Sequence, residues 1–237
     1  MAGVRKPRVL PLLCAIVLTL ATLLAPVAGA GGYRSITLTF VRHAQSAGNA
    51  SGLIDSSTPG PPLTDLGRSQ AVASAQRLAP QHYDGIFAST MIRTQQTAQP
   101  MADTLGEPIT VLPGLHEVEA GIYEGQPEAS AVDTYFSAPQ RWLRGDRTAR
   151  IPGSIDGDEF DARFDGAVQQ IYDSGDDKPV AYSHGAAIML WVQMNVANPN
   201  PQLLMQHPLD NTDYVVIKGN PTDGWTLADW DGAGTGE

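Results

Sequence analysis

Ser35-Ile36-Thr37-Leu38-Thr39-Phe40-Val41-Arg42-His43 is the stretch that decides the fold of this 237-residue chain. It starts by alternating and then fills with β-branched and aromatic side chains, the pattern of a buried strand. The apolar run stops at Arg42 and His43 and opens into the small-residue loop Ala44-Gln45-Ser46-Ala47-Gly48-Asn49. The strand therefore delivers a cation and an imidazole to its carboxyl end, where open α/β sheets hold their ligands.

Downstream, strand and helix patterns alternate. Thr64–Leu78 reads as a helix capped by Thr64, with Leu66, Ala71, Ala75 and Leu78 as its apolar stripe. Asp84–Ala88 reads as a short strand, Met91–Leu105 as a helix and Ile109–Leu112 as a strand. Helices are expected over Ala129–Leu143 and Asp158–Tyr172, a buried strand over Lys178–Tyr182 and a helix over Ala186–Val196. Tyr214–Lys218 and Trp225–Ala228 read as late strands near an edge. Strands alternating with helices imply parallel crossovers, hence an α/β three-layer sandwich with a mostly parallel central sheet flanked by helices. No internal repeat or charge block divides the body, so residues 31–237 are expected to form one domain.

Residues 1–30 stand apart. A basic start (Arg5, Lys6, Arg8), an apolar run from Val9 to Leu24 and the small pair Ala28 and Ala30 match a secretory signal peptide with an A-x-A cleavage site, or an anchor left uncut. The body is accordingly expected outside the cytoplasm, secreted or associated with the cell envelope. Without the leader it holds 12 Lys+Arg against 25 Asp+Glu, a formal charge of −13. That balance argues against nucleic acid and against anionic lipid surfaces, which need clustered cations. No stable membrane insertion of the mature domain is expected. Cys14, the one cysteine, lies in the leader, leaving the body without a disulfide, a thiolate metal site or a thiol nucleophile.

Few cations remain, and two of them sit beside candidate chemistry. Arg42-His43 at a strand end, followed by loop N–H groups, could bind an anion, and a neutral imidazole there is a competent nucleophile toward phosphorus. A strand-end histidine bonded to backbone explains that motif equally well. Ala88-Ser89-Thr90-Met91-Ile92-Arg93-Thr94-Gln95-Gln96-Thr97-Ala98 places Arg93 in a first helical turn after a strand, so that a guanidinium and a helix N-terminus share one point. Taken alone, Arg93 is more often a solvated helix residue. Tyr182-Ser183-His184-Gly185 repeats the strand-to-histidine arrangement, and His184 alone reads as a core-edge residue satisfied by a carbonyl. In Leu115-His116-Glu117-Val118-Glu119-Ala120-Gly121-Ile122-Tyr123-Glu124-Gly125, a carboxyl such as Glu117 could protonate a leaving alkoxide and then activate water. His82, His116 and His207 lack comparable context, although His116 borders Glu117.

Five motifs in order carry a resemblance. R-H-x-x-S-x-x-N at 42–49, L-T-x-x-G at 63–67, S-x-x-x-R-T-x-Q-T-A at 89–98, L-x-E-x-x-x-G-x-x-E-G at 115–125 and S-H-G at 183–185 span almost the whole body. In them the chain resembles the histidine phosphatase superfamily, phosphoglycerate mutase-like branch 1. The resemblance implies that His43 is the phosphorylated nucleophile, that Arg42, Arg93 and His184 form the phosphate pocket with Asn49 as a further contact, and that Glu117 is the proton donor. It implies a small phosphorylated substrate and no metal or other cofactor; a homodimer is compatible with it. Ala44-Gln45 stands where the family commonly has Gly-Glu, and the long insert with extra basic residues that mutases carry is absent. Hydrolysis is thus expected over mutase-type transfer, with a non-catalytic phospholigand-binding module and a His/Glu metal site as further alternatives. The stretch 126–157, with Tyr135, Phe136, Trp142, Arg144 and Arg147, is expected to cover the site; its arginines suit either a second anionic group or a solvated helical face.

Overall fold

The computed structural model describes residues 32–233 together with Met1 and Gly3. The expected leader lies outside the described residues. In chain order the elements are β1 (Ile36–Arg42), α1 (Ala47–Ser51), α2 (Asp65–Leu78), β2 (Gly85–Ala88), α3 (Ile92–Leu105), β3 (Ile109–Val111), α4 (Ser137–Trp142), α5 (Gly157–Asp173), β4 (Pro179–Ser183), α6 (Gly185–Asn195), α7 (Leu203–Gln206), β5 (Tyr214–Asn220) and β6 (Gly224–Trp230). Six strands form one sheet in the order β3-β2-β4-β1-β5-β6. The four strands from β3 to β1 are parallel, and β5 and β6 add an antiparallel hairpin at one edge. This is the expected sandwich, with the late strands at the edge.

Alternation along the central strands sorts side chains onto two covered faces. Val41, Ile86, Val180 and Tyr182 point to one side, where Ala75 and Leu78 of α2 and Ala98 and Met101 of α3 meet them. Phe40, Phe87 and Ala181 point to the other, against Phe160 and Phe164 of α5 and Ile188 and Trp191 of α6. Phe40, Phe164 and Trp191 form an aromatic knot, with ring centroids 5.2–5.7 Å apart. Each such fully buried side chain contributes on the order of 1.5–3 kcal/mol through removal from water.

The helix ends follow their sequence signals. Thr64 caps α2 by accepting from the Gly67 N–H, 3.0 Å, and Asp156 and Glu159 form a capping box at the start of α5. Gly67 is required for another reason: a Cβ there would lie 2.0 Å from the Gln45 carbonyl oxygen, so only glycine lets α2 close against the loop after β1.

One expected element is corrected. Ala129–Leu143 is not a continuous helix; a short 3₁₀ turn at Glu128–Ser130 and irregular turns precede α4, which starts only at Ser137. Pro139 supplies the reason, because its missing N–H and its ring are tolerated in a first helical turn but would break a helix already running at Tyr135. Tyr135 instead sends its hydroxyl to the Val118 carbonyl, 2.5 Å, which fixes the irregular segment over the loop that carries Glu117.

Candidate active site

β1, β2 and β4 end side by side, and each is followed at once by a polar residue that the sequence had singled out. His43 follows β1, Ser89 follows β2, and His184 follows β4. A cavity of about 280 Å³ opens beyond these ends. Arg42, His43, Asn49, Arg93 and Glu117 line it, so five of the six expected site residues converge there.

His43 is 3% exposed. A carbonyl can only accept, so the 2.8 Å contact between His43 Nδ1 and the Ala44 oxygen puts the ring proton on Nδ1 and the lone pair on Nε2. Arg93 Nε–H donates to that Nε2 at 3.0 Å. Burial, then the nearby Arg93 and Arg42 guanidiniums, hold the imidazole well below its ordinary pKa and therefore neutral.

Arg93 reaches this position from the first turn of α3. Its Nη2 donates to the Asp55 carbonyl at 2.9 Å and its Nη1 lies 3.4 Å from the Asp55 carboxylate. The rest of its motif is structural: the Ala44 N–H donates to Thr97 Oγ1 at 3.0 Å and the Leu63 N–H to Gln96 Oε1 at 2.8 Å. The R-T-x-Q-T-A run thus seats both the arginine and the loop that carries the histidine. Arg42, from the last position of β1, is tied to the Leu209 carbonyl through Nη1, while its Nε has no partner among the described residues.

The S-x-x-N spacing at 46–49 proves to be a helix cap. Asn49 Oδ1 accepts from the Ser46 N–H at 3.1 Å, and Ser46 Oγ accepts from the Asn49 N–H at 3.2 Å. With its oxygen committed, Asn49, which lines the cavity, keeps its carboxamide N–H₂ as a donor that suits an anion. Asn211 braces the same loop from beyond α7, donating to the His43 carbonyl at 2.9 Å.

Glu117 faces the cavity from the loop after β3. Its Oε1 accepts from the Val118 N–H at 2.9 Å and from the Ala187 N–H in the first turn of α6 at 2.8 Å. Ser183 Oγ–H donates to the Leu115 carbonyl at 2.7 Å, and Arg163 of α5 donates to the carbonyls of Gly114, His116 and Glu117 at 2.9–3.1 Å. Glu124, the last acid of the same motif, plays a bracing part. Its carboxylate accepts from the backbone N–H groups of Ser56 and Ser57 and from Ser56 Oγ, and these bonds hold its pKa below the ordinary value against the opposing effect of burial.

His184 is placed differently from the other five. It is fully buried behind His43, with ring centroids 5.2 Å apart, and does not form the cavity wall. Ser89 Oγ lies 2.8 Å from its Nε2, whereas its Nδ1 has no partner among the described residues. Burial, then Arg93, His43, His116 and Arg163, keep it well below its ordinary pKa. The neutral imidazole is therefore the favoured form of this ring.

The sequence comparison agrees with this geometry. The sequence model of the histidine phosphatase superfamily (branch 1) matches residues 38–231. The chain belongs to that family. It is 47% identical over 222 residues to the PE-PGRS family protein PE_PGRS11 of Mycobacterium tuberculosis, covering 87% of this chain and 38% of that protein. It is 32% identical over 153 residues to the probable phosphoglycerate mutase GpmB of Yersinia pestis, covering 62% of this chain and 69% of the other. Among solved structures, a mycobacterial glucosyl-3-phosphoglycerate phosphatase bound to VO₃ superposes with a TM-score of 0.67 at 22% identity, over 85% of this chain and all of that one. A putative alpha-ribazole-5'-P phosphatase from Escherichia coli gives 0.65 at 19%, over 85% and 98%. At such identities these two likenesses describe the fold.

Asp55 and Glu128, which also line the cavity, were not legible in the sequence. No local pattern marks either; both arrive on irregular segments whose placement depends on contacts such as Glu124 with Ser56. Of the residues expected over the site, Tyr135 and Phe136 line the cavity, but Trp142 stacks on Phe160 in the core and Arg147 is paired with Asp161. Neither Arg144 nor Arg147 is on the cavity wall. His116 bonds to Glu119 and lines a separate recess beside Ser56.

Proposed function

We propose that this chain is an exported phosphomonoesterase that works through a phosphohistidine on His43. The observation that carries the reading is the neutral His43, its proton fixed on Nδ1 and its Nε2 lone pair in a cavity that also holds Arg42, Arg93 and Glu117. An entering phosphoryl group would take the place of Nε2 as acceptor for Arg93 and would meet Arg42, the Asn49 carboxamide and the α6 N-terminus at Gly185. These donors would stabilise charge on the equatorial oxygens.

The His43 Nε2 lone pair forms the N–P bond as the ester P–O bond breaks, and the departing oxygen takes its electron pair and a proton from Glu117. Water then attacks phosphorus, gives its proton to the Glu117 carboxylate and releases phosphate as the N–P electrons return to Nε2. His184, its ring centroid 5.2 Å from that of His43, would support the nucleophile from behind the cavity wall. No step needs a metal.

The test is phosphate release from p-nitrophenyl phosphate and a panel of sugar, glycerol and nucleotide phosphates, with and without EDTA. EDTA-resistant release that His43→Ala lowers by at least a hundredfold supports the reading; activity within tenfold of the parent refutes it. The kinship to a probable phosphoglycerate mutase favours mutase-type transfer as the second reading, and that activity would interconvert phosphoglycerates with primer and without net release. Export rests on the leader pattern at 1–30 and is tested by fractionating cells that express the full chain.

A further inference from the structure

The substrate's non-transferred part has to occupy the same cavity, and the composition of its walls is uneven. Among the described residues Arg42 and Arg93 are the only lining residues of positive charge, and both belong to the transferred phosphoryl group in the reading above. Arg93 is moreover already paired with Asp55 at 3.4 Å. Against them stand three carboxylates, Asp55, Glu117 and Glu128. Once a phosphoryl dianion is seated, no cation of the wall remains to neutralise another anionic group. The arginines of the covering stretch do not supply one: none is on the cavity wall, Arg147 is held by Asp161 and the Met194 carbonyl, Arg141 by Asp146 and Arg150 by Asp156 and Glu159, and Arg144 is exposed to solvent.

Apart from Asn49, assigned to the phosphoryl group, and Ser56, whose hydroxyl is committed to Glu124 and the Ala120 N–H, the remaining side chains of the wall are apolar. Ile54, Ala131, Tyr135, Phe136, Met189 and Leu209 face the cavity, with the Tyr135 and Phe136 rings 4.7 Å apart. Such a surface accommodates a hydrocarbon or aromatic body and offers nothing to a carboxylate.

We propose that the site selects phosphomonoesters whose alcohol portion is apolar and uncharged or cationic, and discriminates against esters that carry a second anion. This inference rests on the phosphatase reading and names its substrate class. It is drawn from Glu128 and Asp55 at the wall and from the position of the covering arginines, none of which takes part in the phosphoryl-transfer steps. Asp55, half-buried beside Arg93, and the solvent-exposed Glu128 put negative charge on the wall that a second anionic group of the substrate would have to approach.

Matched pairs decide it: phenyl phosphate against 4-carboxyphenyl phosphate, and O-phosphoethanolamine against 3-phosphoglycerate, each assayed for kcat/KM with the full chain. The uncarboxylated partner is expected to be better by at least tenfold, with the gap narrowing as salt is raised, because the discrimination is electrostatic. Glu128→Gln should shrink the gap by at least threefold, through a gain for the carboxylated ester. Equal rates within a pair, or a preference for the carboxylated member, overturns the inference. The same pairs titrated calorimetrically against the full chain separate the two claims. A chain that releases no phosphate from any ester, yet binds the uncarboxylated members at least tenfold more tightly, refutes the phosphatase reading and sustains the selectivity; equal binding refutes both.

Discussion

Glu117→Gln is the substitution that separates chemistry from architecture in this site. The carboxylate holds two backbone donors through Oε1, the N–H groups of Val118 and Ala187. Glutamine keeps an amide oxygen for both, so stability should fall by only about 1 kcal/mol, the difference between charge-assisted and neutral hydrogen bonds. Glu117→Ala, by contrast, leaves two N–H groups without their acceptor, at about 1–3 kcal/mol each. On the chemical side glutamine can neither give the alkoxide a proton nor take one from water. Loss of general acid–base catalysis costs roughly 10²–10⁴ in rate, or about 2.7–5.5 kcal/mol of barrier. The loss should be larger for an alkyl phosphate than for p-nitrophenyl phosphate, whose leaving oxygen scarcely needs the proton. With the latter ester the first displacement outruns the second, so stopped-flow should show a burst of p-nitrophenolate, and intact-protein mass spectrometry a phosphorylated chain that His43→Ala lacks. A Glu117→Gln enzyme within threefold of the parent on the alkyl ester, at unchanged Tm, would refute the role assigned to Glu117.

Three other outcomes follow from the geometry. His43 and His184 both have folded pKa values well below 6.5, so the unfolded chain binds protons that the folded chain refuses. Stability should therefore be fully present above about pH 6.5 and fall below it, by about 1.4 kcal/mol per group between about pH 7.5 and pH 5.5. Denaturant titrations should show this dependence, and His43→Gln should remove one group's share. Arg163, which holds three carbonyls of the Glu117 loop, acts as a positioning residue; Arg163→Lys should lower kcat about tenfold and leave the inhibition constant for inorganic phosphate within about twofold. Gly185→Ala would set a Cβ 3.2 Å from Arg42 Nε in a helix turn that otherwise welcomes alanine, so KM should rise several-fold while Tm holds or increases.

Much of the fold was legible because its signals are local. The run Ile36–Val41 and the strand at 179–183 are buried on both faces, and that is what continuous apolar strands report. Thr64 likewise announced a cap through its own chemistry, whereas Gly67 entered only as part of a motif and the structure supplies its reason, the close approach of the Gln45 carbonyl. The covering segment at 128–142 was misread because helix propensity there is moderate, and Pro139 together with the Tyr135 hydroxyl bond to Val118 decides its shape. The site divides in the same way. His43, Arg42, Arg93, Asn49 and Glu117 each follow a strand or open a helix, and motif order found them; Asp55, Glu128 and Asn211 come from segments positioned by tertiary contacts, and no spacing rule reaches them. His184 was found but set on the cavity wall, whereas its full burial, with Ser89 at Nε2, puts it one layer behind.

The proposed function asks an acidic chain to receive an anion, an electrostatic puzzle, since residues 31–237 carry a formal charge of −13. Depth resolves it. Surface carboxylates act through water and are screened over about 8–10 Å at ordinary salt, while Arg93, 3% exposed, acts on a bound phosphoryl group through a medium of much lower effective dielectric. The two guanidiniums can therefore dominate the bottom of the cavity even though the surrounding field has the opposite sign. The same arrangement keeps His43 neutral, and so ready as a nucleophile, without any base to deprotonate it. The acidic surface would then act chiefly on approach, slowing the encounter of polyanions more than that of a singly phosphorylated, otherwise uncharged ester, in the same direction as the proposed discrimination in binding by the carboxylates of the cavity wall.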